Sequence, residues 1–299
     1  MGRNSIPSPD NQRFWESLQR NRRAFNHYYW QLYEMALAMP EWSGNLPPTI
    51  NTRYLEEALC IDGMAVIWRD EIAGWACARV TNMGELNLYN EPDTYAAYAS
   101  NGLFVELNRE NSVLVYNNLA HTNTAPDLLT FSRRLASYDM IMDVNVTAQK
   151  TPVLILAEDE KQRLSLMNLY QKYDGDQPFI FGYKRGMTAT PLTALTTGAP
   201  WIADRLYELK SKVWNEALTY LGVSNVSYNK SQYQGRDEVQ RLMGGAVASR
   251  WSRLEARQTA AEALNRLFEQ YGEGYSVKVQ YRGDLSSSMS DTYGGPADE

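Results

Sequence analysis

Apolar residues recur at spacings of three and four over three long stretches of this 299-residue chain. In 11–39 they are Phe14, Leu18, Phe25, Tyr29, Leu32 and Ala36; in 125–146, Leu128, Phe131, Leu135, Tyr138 and Met142; in 201–221, Ile202, Leu206, Leu209, Val213, Ala217 and Leu221. That period predicts three long amphipathic helices, each with an apolar stripe to bury. What separates them is too long and too β-patterned to be turns. A simple α/β sandwich alternates strand and helix more evenly. The order predicts an α+β, predominantly helical protein in which the helices bundle and the insertions lie at opposite ends of the bundle.

The punctuation between the helices is explicit. Pro40 stops the first helix, and 40–51 reads as a rigid loop because Pro47-Pro48 fixes two φ angles. Thr52 is positioned to cap a short helix through Leu59. Residues 63–118 read as strands: GMAVIWR and IAGWACARV flank Asp70-Glu71 as one hairpin, and LFVEL (103–107) with VLVY (113–116) looks like a second. Thr124-Ala-Pro-Asp127 has the form of a capping box. Further on, 151–156 is a strand, 160–173 a helix, 178–183 a strand, and a Gly/Thr/Pro-rich loop runs to Pro200. Residues 223–236 lack periodicity and read as a mobile loop. A helix follows from about 237 to Tyr271, with Gly244-Gly245 as a candidate interruption and Gly272 as its C-cap; 275–281 alternates as a half-buried strand. The first ten residues are turn-formers, and the Ser/Gly/Asp-rich tail from Gly283 (283–299) is expected to be disordered.

Composition narrows the function classes. The longest apolar runs, such as MAVIW at 64–68, fall far short of the roughly 20 residues a membrane span needs. The N-terminus has no apolar signal segment, so the expectation is a soluble cytosolic chain with no membrane partner. Two cysteines, Cys60 and Cys77, make neither a disulfide framework nor a four-cysteine zinc site. The net charge of −6 is uneven: residues 52–126 alone carry four basic and ten acidic side chains. The remainder lacks the strong basic footprint of a protein that grips nucleic acid.

No phosphate loop, dinucleotide fingerprint, zinc-protease helix or nucleophile elbow is present. His27 lies among aromatics on the first helix and reads as a packed or snorkelling imidazole; His121, in a polar loop, reads as a surface residue. Both cysteines sit in apolar contexts and read as structural thiols. The acidic groups Asp174–Asp176 and Glu158–Glu160 have turn and helix-start character rather than the look of metal sites. The expectation is no enzyme, no cofactor and no metal. Basic positions are more informative. Arg205, Lys210 and Lys212 lie beside or opposite the apolar stripe of the third helix, and the loop after it adds Lys230 and Arg236. They are either a solvated face or a sparse set of charges beside a polyanion. Sparseness suits DNA that must slide, because each phosphate contact adds counterion-release affinity.

Four ordered blocks, NLPPTIN (45–51), AQKTPVLI (148–155), LYQKYDG followed by PFIF (169–181), and VWNE with TYLG (213–222), resemble the portal proteins of small podophages with protein-primed replication. These are also called the upper collar or head–tail connector. The resemblance extends over about 11–282. It implies a dodecameric ring with a channel for double-stranded DNA, and the major capsid protein, a lower collar or tail protein and a packaging ATPase as partners. It implies a helical stem from 11–51, 125–150 and 199–222, a narrow end from 52–124, and a wide end from 151–198 and 237–282. The loop 223–236 would hang into the channel, where Arg205, Lys230 and Arg236 are the expected DNA contacts. The family's lysines near the third stem helix correspond here to Thr196 and Arg205, which leaves one positive ring of two. Its basic, RNA-contacting N-terminus corresponds to a segment, 1–10, whose only basic residue is Arg3, which weakens the expectation of a packaging RNA. Another ring-forming adaptor of the head–tail junction, or an unrecognised cytosolic enzyme, are the competing readings.

Overall fold

The computed structural model describes residues 9–149, 153–157, 159–161, 163–164, 179–183, 192–194, 200–223 and 236–282. The chain divides into two compact units, one of 1–24 with 134–212 and one of 25–133 with 213–299. The three predicted long helices are α1 (Pro9–Ala38), α3 (Ala125–Ala148) and α4 (Ala203–Tyr220), and the division falls inside each.

In the larger unit, α1 is followed by β1 (Pro40–Asn45) and α2 (Thr52–Asp62). The cap of α2 is Asn51, whose side chain accepts from the Tyr54 amide at 3.1 Å, one position earlier than Thr52. The expected rigid loop at 40–51 holds a strand instead. PEWSGN has no period-two pattern; it is extended because it pairs antiparallel with the well-patterned β10 (Ser276–Tyr281), from Pro40 opposite Tyr281 to Asn45 opposite Ser276. Proline opens this two-stranded ribbon, a position where its missing donor is tolerated.

Five strands follow: β2 (Met64–Asp70), β3 (Gly74–Leu86), β4 (Pro92–Tyr98), β5 (Phe104–Asn108) and β6 (Ser112–Tyr116). The first expected hairpin, β2–β3, is present. The second is not. β5 pairs with β4 and β6 with β2, so the sheet order is β5-β4-β3-β2-β6 and consecutive strands stand at its two edges. In a flat sheet those edges would lie about 19 Å apart, four strand spacings. The link 109–111 reaches at most about 14 Å. The sheet therefore curls into an open barrel with its seam between β5 and β6. Tyr95 on β4 reaches across its interior to the Ser112 hydroxyl, 2.8 Å away.

Both faces of β2 are buried, which explains the unbroken MAVIW run. Val66 and Trp68 fill the barrel with Val80, Tyr95 and Leu107. Ala65 and Ile67 face outward into a second core with Leu55 and Leu59 of α2, and with Leu264, Phe268 and Val277. The last three come from α5 (Arg236–Gln270) and β10. So 237–282 shares its core with 52–124. The helix α5 runs without a break through Gly244-Gly245, and Gly272 closes it at φ +66° with its amide on Glu269 O.

In the smaller unit, β7 (Val153–Ala157) pairs parallel with β8 (Phe179–Tyr183) and antiparallel with β9 (Leu192–Ala194). The last lies within the segment expected to be loop. Most of the expected helix 160–173, the segment 224–235 and the tail from 283 lie outside the described residues.

Candidate functional site

The C-terminal turn of α4 leads straight into 223–236, so the way that turn is held decides where the segment starts. Leu221 and Gly222 donate to Ala217 O and Thr219 O, and Val223 returns to Leu218 O at 2.9 Å, ending the helix in a left-handed turn at Gly222. The turn lies on α5. Arg250 Nε donates to Gly222 O at 3.1 Å, Ser249 Oγ donates to Tyr220 O, and the Arg253 guanidinium stands 4.9 Å from the centre of the Tyr220 ring.

Beneath this contact lies a buried polar network. Arg257 is 2% exposed and Glu56 3%. The guanidinium forks onto the carboxylate, with Nη2 to Oε2 at 2.7 Å and Nε to Oε1 at 2.9 Å. Its remaining donors go to Asn117 O (2.7 Å) and Arg253 O (2.9 Å), and Trp42 Nε1 gives Glu56 a third bond at 2.7 Å. Desolvation works against the Arg257 charge, but Glu56 outweighs it and the guanidinium is held above its ordinary range. Arg253 Nη1 and Asn117 Nδ2 both donate to Thr124 Oγ1 at 2.8 Å, and Asp127 accepts from the Tyr220 hydroxyl. The side chains of the expected capping box thus tie the start of α3 to α4 and α5. The network joins α2, the end of β6, the start of α3, the end of α4 and α5: a rigid mount for the segment that follows Val223.

Of the predicted DNA contacts, Arg205 lies in the first turn of α4, exposed, and forms no ion pair with the described residues; Glu208 and Glu216 do not pair with it. Lys210 is bound to Asp139 at 2.6 Å. Lys212, seven residues beyond Arg205 and so on nearly the same face, is exposed and also without an ion pair among the described residues. It is a better companion to Arg205 than the sequence suggested. Lys230 lies outside the described residues, and Arg236 opens α5 but its side chain is outside them.

Cys60 is buried, and burial pushes its thiol up to about 12. Cys77 is half-buried, its Sγ 3.5 Å from Asn51 O, and burial raises it too. His27 is exposed beside Tyr28, and His121 is exposed and stacked on Tyr116 at 3.6 Å. Glu160 stands 3.7 Å from Arg163; Asp174, Asp176 and Glu158 lie outside the described residues. Among the described residues no helix is long and apolar enough to cross a membrane.

A chain from the solved structure of the portal and tail of native bacteriophage P68 has the same fold, with a TM-score of 0.51 at 14% identity over 98% of this chain and all of that one. The α+β architecture is thus shared with a chain of a phage portal-and-tail assembly. The family model of the Phage Connector (GP10) matches residues 12–286, and the chain belongs to that family.

Proposed function

We propose that this connector closes into a ring of twelve copies whose channel passes double-stranded DNA during packaging and ejection. As a phage connector the chain is a portal protein of the virion's head–tail junction, a structural component that assembles as a ring and associates with capsid and tail. The family match over 12–286 is the observation that carries the reading. The partners proposed are the major capsid protein, a lower collar or tail protein and a separate packaging ATPase, with assembly in the host cytoplasm. The chain itself is proposed to turn over no ATP; steady turnover by pure protein, abolished by a point change in this chain, would overturn that.

The stem is proposed to be α1, α3 and α4, with 223–236 projecting into the channel and Arg205, Lys230 and Arg236 meeting phosphates there. Because 237–282 shares its core with 52–124, these two segments are proposed as one end of the subunit and 151–198 as the other. The first body holds the larger part of the chain and suits the wide end, since a ring broadens where its copies are bulkiest; this reverses the sequence expectation for 52–124. Negative-stain microscopy of the purified full chain tests the ring: annular top views with a central hole are expected. Light scattering that finds only monomer at micromolar concentration, across several salts, would overturn it. A tag inserted in the turn at 87–90 should decorate the broad rim in side views; decoration of the narrow rim would reverse the assignment of ends.

A further inference from the structure

Two exposed helix faces carry unpaired charge of opposite sign beside an exposed tryptophan. On α1, Arg20, Arg23, His27 and Trp30 follow one another at steps of three, four and three, and so share a face; all four are exposed, Trp30 by 55%. Glu34 continues the same row and is exposed. On α5, Val247, Trp251, Glu255, Gln258, Glu262 and Glu269 form the row opposite the core-facing Leu264 and Phe268. Trp251 is 57% exposed, Glu262 and Glu269 are exposed, and Glu255 is half-buried. Among the described residues Arg20, Arg23, Glu255, Glu262 and Glu269 take part in no ion pair. Elsewhere guanidiniums find carboxylates readily, as Arg69 does with Glu273 at 3.0 Å and Arg109 with Glu91 at 2.8 Å.

A ring of identical copies joined head to tail needs two unlike, mutually complementary faces on each copy. Resting on the ring reading above, we propose that α1 of one copy docks antiparallel on α5 of the next, with Trp30 against Trp251. The spacing fits only that direction. Arg20 precedes Trp30 by ten residues, about 15 Å along the helix, and Glu262 follows Trp251 by eleven, about 16.5 Å. An antiparallel crossing sets Arg20 by Glu262, places Arg23 between Glu262 and Glu255, and leaves His27 between Glu255 and Trp251. A parallel crossing would carry the arginines away from the glutamates. The tryptophans supply the desolvated centre that such an interface needs, and the charges its direction.

The test is crosslinking in the full chain with Cys77 replaced by Ser. W30C/W251C treated with a short bis-maleimide should give a ladder of bands rising from dimer to closed ring. W30C or W251C alone should give none, because the contact joins unlike faces. Rings seen by microscopy but no ladder would overturn the inference and leave the ring reading standing; absence of rings in the unmodified chain would overturn the ring reading itself. As a second arm, R20E/R23E should lower the fraction of chain in rings by about tenfold at low salt. Adding E255K/E262K to the same chain should restore it. If that fourfold variant assembles no better than R20E/R23E, the pairing is wrong.

Discussion

At Gly222 the chain leaves α4 with φ +77°, and a Cβ built there would lie 2.8 Å from Arg250 Cα and 2.9 Å from its amide nitrogen. Backbone cannot swing aside as a side-chain tip can. Gly222→Ala therefore carries both the left-handed strain and a clash, and is expected to cost about 3 kcal/mol. Gly74 has a similar φ of +74° but nothing within 4 Å of a built Cβ. Gly74→Ala should cost only about 1 kcal/mol, the conformational part. Urea unfolding of the two variants beside the parent reads the difference; equal losses would show that the α4–α5 contact does not confine Gly222. Cys60 offers a second test at this scale. Its thiol rises from 9.0 to about 12 on burial, so between those values the folded chain holds a proton that the unfolded chain has released. Stability must then fall as pH rises from 9 towards 12, and the thiol's contribution is fully present below 9. Cys60→Ala should flatten that fall when urea midpoints are compared at pH 8 and 10.5, whatever it does to absolute stability. Thiol reagents should likewise leave Cys60 untouched at pH 8 until the chain unfolds.

Among the elements, α5 packs against β10 and β6, and the pair Glu56–Arg257 binds it to α2. Removing one partner strands a buried charge, so Glu56→Ala or Arg257→Ala is expected to cost about 3–5 kcal/mol. Replacing both, as Glu56→Leu with Arg257→Met, should recover most of the loss that Glu56→Leu and Arg257→Met each cause alone, measured as a double-mutant cycle on the unfolding midpoint. Additive losses would mean that the two side chains are held by their other bonds rather than by each other. Nothing in the sequence announces this pair. Its members lie 201 residues apart, and Arg257 sits amid ordinary helical charges. The same limit explains the strands. The period-three and four stripes of α1, α3 and α4 are local and were legible, as was the β2–β3 hairpin. That β5 and β6 are edges of one curled sheet rather than a hairpin depends on β6 reaching β2, a pairing across some 45 residues that no local pattern records. The strand β1 was invisible for a related reason: its extended backbone is imposed by β10, whose alternation of Val277, Val279 and Tyr281 was clear. Of the DNA-facing candidates, Arg205 was legible as a charge off the apolar stripe. Which of its neighbours stays unpaired was not, since Lys210 is taken by Asp139 from another helix.

For the whole molecule, on the proposed ring reading, the balance between gripping and releasing DNA would follow from how many cations each subunit turns to the channel and how many times the ring repeats them. Each phosphate contact adds to the salt-dependent affinity, and a belt built from one arginine per copy multiplies that term around the channel. Backbone contacts of this kind read no sequence, as passage of a whole genome requires. Among the described residues Arg205 and Lys212 of α4 take part in no ion pair, and the sequence of the segment 223–236 adds Lys230 and Arg236 with Tyr228 and Tyr233. Both ends of that segment are fixed: Gly222 and Val223 are held by α4 and by Arg250, and Arg236 begins α5. The mount is made of Glu56, Arg253, Arg257 and Thr124, none of which belongs to the segment. Removing 225–234 should therefore leave the fold and the rings intact, while packaged DNA is held less well. Ring formation is read by negative-stain microscopy, and retention by the length of DNA protected from nuclease after packaging is halted. Loss of rings would make the segment an assembly element, and full retention would remove it from the channel; either result would overturn the role assigned to it. Arg205→Ala, on a different element, should weaken retention with a smaller salt dependence than the parent shows, because one phosphate contact per copy is lost.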